Sequence, residues 1–361
     1  MADTATRTAQ VVVVGAGIVG LCTAYALAER GVDYRLFEAA RPGSGQSAGR
    51  TRIFRHAHRR ADLVRLAAES RGIWEEWQSR LGVQLLGRQG LVVTGTRAPD
   101  VLSLLEAEGL PARLLDEAEQ QRLLPVMRPV GAPAVLDELA GPTDVRAAIT
   151  ALAAVVENRS IGGQVFRVEP GEPAVVETSE GIWHADRVVI CAGVGVVALA
   201  PAAGFDIPVS VGCHARASFP LRDPSLAGRL PCLQEQSGDH SEIVYASPIP
   251  GAPLYAVGLA GDDGELPLDA DREAGVETLV RRIAAYVERA LPGLEPEPAE
   301  LRLCLTTILP EGDDSHRVWD NGSVLALAGD NLFKFAPLLG RRLAAAALGA
   351  SPRPPAERSL P

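Results

Sequence analysis

The chain has 361 residues, 47% of them hydrophobic, with 36 glycines, 27 prolines and no low-complexity block, a composition that describes an ordered globular protein. That length exceeds one compact core, so two domains are expected, or one large domain with a second inserted into it. A net charge of -10 and the lack of any Lys/Arg-rich run argue against nucleic acid or an anionic membrane as partner and leave small molecules.

Five cysteines lie far apart with no CxxC pair, and no export signal precedes them. Reduced thiols and a cytoplasmic location are therefore expected, with no metal assigned. Lys334 is the only lysine.

Residues 11 to 38, VVVVGAGIVGLCTAYALAERGVDYRLFE, hold a strand, a three-glycine turn, a helix, a second strand and a terminal acid. This order predicts a dinucleotide site. Gly15 allows the tight turn, Gly17 lets the backbone approach a pyrophosphate, Gly20 lets helix and strand pack closely, and the helix N-terminus faces the phosphates. Glu38 falls about 20 residues on, where a ribose diol is held. A signal peptide or membrane span over Val11 to Ala28 is rejected on its three glycines and the missing stop-transfer charges.

Further along, ADLVRLAAESRGIWEEWQSRLG has apolar residues at helical spacing, a short strand is expected from Gln89 to Thr94, and short helices alternate over residues 100 to 122. GPTDVRAAITALAAVVENRS, from Gly141, reads as a loop whose Asp144 caps the next helix. GQVFRVE, AVVETSEG and ADRVVICAG form a cluster of three strands. HARASFP, EIVYASP and PLYAVGLA alternate as an antiparallel sheet would. A helix over 271 to 290 leads to the strand ELRLCLTTILP; VLALAGDNLFKFAPLLGRRLAAAALG returns to strand, turn and helix, and the tail SPRPPAERSLP reads as disordered.

With these motifs in place, the chain resembles the D-amino-acid oxidase-type flavoproteins, within them the branch of monomeric sarcosine oxidase and N-methyl amino acid oxidases, with glycine-oxidase-like relatives beside it. The anchors are Gly15, Gly17, Gly20 and Glu38, TRIFRH at 51 to 56, CAG at 191 to 193, Cys304 followed six residues later by Pro310, and GDNLFKFAP. The implied fold is α/β, a Rossmann-type FAD-binding domain with an antiparallel-sheet substrate domain (α+β). The expected division gives 1-88, 141-205 and 305-361 to a discontinuous FAD-binding domain and 89-140 and 206-304 to the substrate domain.

The resemblance implies FAD as cofactor, held by Gly15, Gly17, Gly20, Glu38, Arg41, Ser47, Thr51, Arg52, Ala192, Gly193, Gly329, Asn331, Phe333 and Lys334. The resemblance also implies covalent attachment through Cys304, which matches the branch's attachment position in the Cys-x5-Pro spacing of LCLTTILP, while an inert buried thiol is what its apolar strand alone suggests. The catalytic residues implied are Arg52, near the flavin ring, Arg55 and Lys334, on the substrate carboxylate, and Tyr245. A surface position is the competing reading for Arg55, and a structural ion pair for Arg52. The apolar neighbours of Lys334 argue against a freely solvated amine. His56 and His58 fall on one side of an extended segment and receive no catalytic role.

Two departures stand out. The branch's oxygen-activating lysine, eleven residues after the tyrosine of a YGFP-like strand, is Ala256 here, counted from Tyr245 in YASP. A histidine further along is Ala260, so a roomier and less polar pocket is expected. The implied activity is oxidation of the C–N bond of an amino acid, a bulky N-substituted glycine-like amine, with molecular oxygen as acceptor, in a monomer or small homo-oligomer. The alternatives are a flavin dehydrogenase of 2-hydroxy acids or amines using another acceptor, and a non-catalytic flavin-binding subunit.

Overall fold

The structure is a computed structural model that describes residues 7–131, 133–236, 243–260, 266–267, 272–312, 314–349 and 357–358. The expected disordered tail lies outside these residues, apart from 357–358. By contacts the chain divides into two compact units: Met1–Ala48, Ala148–Val211 and Thr306–Pro361 form one, Gly49–Ala147 and Gly212–Leu305 the other.

The first unit is built on a nine-stranded sheet. Arg7–Val14 sits centrally, in parallel register with Tyr34–Glu38 on one side and Gly181–Ile190 on the other, and Val324–Gly329 extends the parallel set. Parallel strands covered on both faces read as continuous apolar runs. Accordingly Val11, Val12 and Val13 are all fully buried. Val165–Glu169, Ala174–Thr178 and Gly181–Ile190 form the expected cluster, as antiparallel neighbours.

Helix Ile18–Ala28 leaves the first strand and packs on helix Ala336–Ala347. A β-carbon on Gly340 would lie 2.5 Å from the backbone carbon of Cys22. This glycine sets how closely the two helices approach.

In the second unit the sheet runs Ser210–Pro220, Leu254–Ala260, Ile243–Pro248, Cys232–Gln236, Leu91–Gly95, Ala134–Asp137 and Ala112–Leu115, with Glu300–Ile308 beside Ser210–Pro220. Its pairings are antiparallel except where Cys232–Gln236 meets Leu91–Gly95. One face carries Ala215, Ala217, Phe219, Tyr255, Val257 and Leu259 into a core with Ile283 and Val287 of helix Arg272–Ala290. Because side chains alternate, His214, Arg216 and Ser218 point to the opposite face, with Tyr245 and Ser247. The fold is α/β with an antiparallel-sheet unit.

Several expectations shift in detail. GPTD is a strand rather than a loop: Gly141–Asp144 pairs antiparallel with Thr51–Phe54. Asp144 still caps the following helix, accepting the Ala147 N–H at 2.9 Å. A strand, Ala112–Leu115, separates the helices Ala98–Ala107 and Glu117–Leu123. The boundary of the first segment falls after residue 48 instead of 88, and 141–147 join the second unit. The reason is packing: Ala57 and Val64, the latter on helix Ala61–Leu81, belong to one apolar cluster with Leu91, Val93 and Val135.

Overfilling a closely packed contact costs about 1–3 kcal/mol. Gly340→Ala is therefore expected to lower the thermal unfolding midpoint by a few degrees. An unchanged midpoint in a calorimetric scan would show that the two helices separate without penalty.

Candidate active site

In the first unit the glycine turn closes only because β-carbons are missing. Gly15 has φ +98°, and a β-carbon there would stand 2.6 Å from the Cys191 carbonyl oxygen; one on Gly20 would overlap the Gly15 carbonyl oxygen. Gly17 caps the helix with no side chain of its own, and Ser47 Oγ accepts the Ile18 N–H at 2.8 Å. The Glu38 carboxylate accepts N–H groups from Ala16 (2.7 Å) and Ala40 (2.9 Å), which fixes it at the lip of the turn. Arg41 lies just beyond, exposed.

The same unit brings the second half of the motif set together. Ala192 and Gly193 follow the Gly181–Ile190 strand, with Gln46 packed against Gly193. Gln46 reaches Thr307 Oγ1 at 3.3 Å, and that hydroxyl donates to the Gly329 carbonyl at 2.8 Å. Asn331 takes a left-handed backbone, φ +55°, and starts the short helical turn Leu332–Phe335, where Phe333 and Lys334 are buried. Lys334 Nζ donates to Asp314 Oδ1 at 2.6 Å and to the Asn331 carbonyl at 3.1 Å, and lies 4.7 Å from the Phe335 ring centroid. The sole lysine is thus buried, as its apolar neighbours suggest, and neutralised by an aspartate that the sequence motif does not reveal.

These residues fit a dinucleotide. The first turn of Ile18–Ala28 has a glycine cap and no acidic side chain, so its N–H groups and dipole favour an anion. Gly17 keeps the approach open, and Glu38 is oriented by two backbone donors.

Thr51, Arg52, Arg55, Tyr245 and Cys304 belong to the second unit. Thr51 Oγ1 pairs with Ser247 Oγ at 2.9 Å, while the Thr51 carbonyl accepts from both Arg52 and Arg216, each at 2.9 Å. Two guanidiniums so close repel. Burial and then Arg216 pull the Arg52 pKa down to about 10, and burial followed by the two arginines pushes His214 to about 3, so its imidazole is neutral near pH 7. Tyr245 sits between them, its ring 5.0 Å below the Arg216 guanidinium and edge-on to His214 at 6.2 Å. Burial raises its pKa.

Arg55 is half-buried and donates to the Ala57 carbonyl at 2.7 Å and Gln234 Oε1 at 3.4 Å. The next residue anchors this segment: the buried His56 donates its backbone N–H to Asp137 at 2.7 Å, with Nδ1 3.1 Å from the other carboxylate oxygen. Cys304 is buried within electrostatic reach of Arg52 and Tyr245. Cys22, Cys191 and Cys232 have thiol pKa values raised by burial, the latter two to about 12, which fits inert thiols. No disulfide joins the five cysteines.

Sequence reasoning passed over Arg216, His214, Gln234 and Asp314. The alternation in HARAS was the available signal for the first two. Ala256 and Ala260 are small, and the neighbouring strand presents Arg216 and His214 on the same face.

The chain is 28% identical over 355 residues to peroxisomal sarcosine oxidase of Homo sapiens, covering 92% of this chain and 90% of that protein. It is 26% identical over 366 residues to monomeric sarcosine oxidase of Bacillus sp. (strain B-0618), covering 94% and 92%. Among solved structures, NikD, an unusual amino acid oxidase essential for nikkomycin biosynthesis, superposes with a TM-score of 0.82 at 23% identity, covering 96% of this chain and 95% of that one, which shows the shared fold. The sequence pattern of the FAD dependent oxidoreductases (DAO) matches residues 10–346, and the chain belongs to that family.

Proposed function

We propose that this oxidoreductase oxidises the C–N bond of an amino acid, a bulky secondary amine of the N-substituted glycine kind, in the cytoplasm. The overall balance is amino acid plus oxygen plus water giving oxo acid, amine and hydrogen peroxide. The observation that carries the reading is the polar sheet face bearing Arg216 and Tyr245, with Arg52 sharing the Thr51 carbonyl with Arg216 and Arg55 on the same unit, in a chain related to sarcosine and N-methyl-L-tryptophan oxidases.

FAD, when bound, supplies the acceptor for the hydride leaving the carbon next to nitrogen. The turn at Gly15, Gly17 and Gly20, with Glu38, holds the dinucleotide end. Arg41, Ser47, Thr51, Ala192, Gly193, Gly329, Asn331 and Phe333 complete the cofactor set, with Cys304 as its covalent anchor. Arg55 and Lys334 bind the substrate carboxylate, where a guanidinium fork and an ammonium give charge-assisted contacts. Arg52 and Arg216 disfavour a further positive charge beside them, which lowers the pKa of a bound amine and favours its reactive, deprotonated form. No additional base is then required.

A second reading, a dehydrogenase with another electron acceptor, is favoured by Ala256, which stands between Ser218 and Ser247 across the strands where the branch has its lysine. A peroxide assay over N-substituted glycines and 2-hydroxy acids, repeated with an artificial acceptor, separates the two. Peroxide from a secondary amino acid is the expected result; turnover only with the artificial acceptor would favour the dehydrogenase.

Arg55→Ala is expected to reduce kcat/KM by roughly ten- to a hundredfold, the equivalent of about 1.5–3 kcal/mol for one charge-assisted contact, with flavin content retained. Lys334→Met should do the same and also destabilise the fold, because it removes the lysine partner of the buried Asp314 carboxylate. Adding Asp314→Asn should restore stability but not substrate use. If steady-state kinetics recover along with the melting temperature, Lys334 is structural.

For Cys304, acid precipitation of the denatured holoprotein should leave the yellow colour in the pellet. All flavin in the supernatant would rule out the covalent link.

A further inference from the structure

We propose that Arg216, stacked on Tyr245 and backed by Arg52, binds a second anionic group of the substrate, so that the amino acid taken is a dicarboxylate. The inference rests on the amino acid reading above and deepens it.

The register of three strands builds the site. Arg216 pairs with Gly258 across one strand boundary, and Gly258 with Tyr245 across the next, so all three stand in one row on one face. A side chain at Gly258 would collide with the Tyr245 ring. Its lack lets the phenol lie flat across the strand beneath the Arg216 guanidinium, 5.0 Å from the ring centroid. Gln234 continues the row beyond Tyr245.

Arg216 makes one hydrogen bond of known geometry, from Nη1 to the Thr51 carbonyl. Its Nε is buried without a hydrogen-bond partner, and the buried Tyr245 hydroxyl has the Arg216 guanidinium beside it. No described carboxylate forms an ion pair with it. The acids on neighbouring strands are engaged: Glu300 by Arg50, Asp137 by His56 and Glu235 by the Tyr286 hydroxyl.

A guanidinium kept only for structure would be matched to a carboxylate, because even a half-buried charge such as Arg216 is costly to leave uncompensated. Here a second guanidinium, Arg52, shares the same carbonyl acceptor. Two like charges held together, with the Arg216 Nε unused, describe a receptor for an anion. His214, kept neutral by its surroundings, adds a polar neighbour without adding charge. Since Arg55 and Lys334 are assigned to the α-carboxylate, the anion at Arg216 is a different group of the substrate. A carboxylate suits the planar fork of the guanidinium.

The test uses holoenzyme under anaerobic conditions, following flavin absorbance. N-methylglutamate is compared with N-methylglutamine, its uncharged isostere, and glutarate with glutaramate as unreactive probes. The wild type should bind the dianion of each pair at least tenfold more tightly, and Arg216→Met should bring that ratio close to one. Flavin content and melting temperature establish that the variant is folded, and Arg216→Lys should keep part of the preference.

Equal binding of both members by the wild type overturns the inference while leaving amino acid oxidation in place. A preference that survives in Arg216→Met overturns it too, as does a variant whose only change is slower reoxidation by oxygen, which would assign the charge to oxygen reduction. If neither N-methyl amino acid perturbs or reduces the flavin, both readings fall.

Discussion

The first unit depends on a steric constraint between two glycines. The Gly15 carbonyl oxygen occupies the place where Gly20 would carry a β-carbon, and the Cys191 carbonyl crowds the corresponding place on Gly15. Only with both side chains absent does helix Ile18–Ala28 start close against the strand it follows, between two parallel neighbours. The helix then points its N-terminus, capped by Gly17 with Ser47 Oγ accepting the Ile18 N–H, outward from the strand ends, and Glu38, at the end of the adjacent strand, accepts a donor from the same turn.

The second unit solves a different problem. Its sheet packs one face on helix Arg272–Ala290 and leaves the other polar, and strict alternation along Ser210–Pro220 separates Ala215, Ala217 and Phe219 from His214, Arg216 and Ser218. The apolar face supplies stability. The polar face is thereby free to hold Arg216, which shares the Thr51 carbonyl with Arg52, at an energetic penalty visible in the lowered proton affinities of Arg52 and His214.

Much of the first unit was legible in the sequence because its signals are local. Three glycines, a valine run and an acid lie within residues 11 to 38, and the physical role of each follows from its neighbours in the chain. The burial of Lys334 was legible for the same reason, from the phenylalanines beside it. Its partner was not, since Asp314 lies on a separate turn twenty residues away. Arg216 shows the limit most clearly: the stack on Tyr245 exists only once three strands are in register and Gly258 leaves room, and no window of sequence contains that row. The strand at Gly141–Asp144 escaped because Gly and Pro suggest a turn, whereas its pairing comes from Thr51–Phe54, some ninety residues earlier.

The single lysine has a further consequence, for the chemistry of the protein surface. Its ε-amine is buried and ion-paired, so no lysine side chain is exposed to amine-directed reagents or to acylating metabolites. The acidic surface carries its positive charge as guanidinium, which stays protonated at any physiological pH. Acylation of Lys334 requires its ion pair with Asp314 to break.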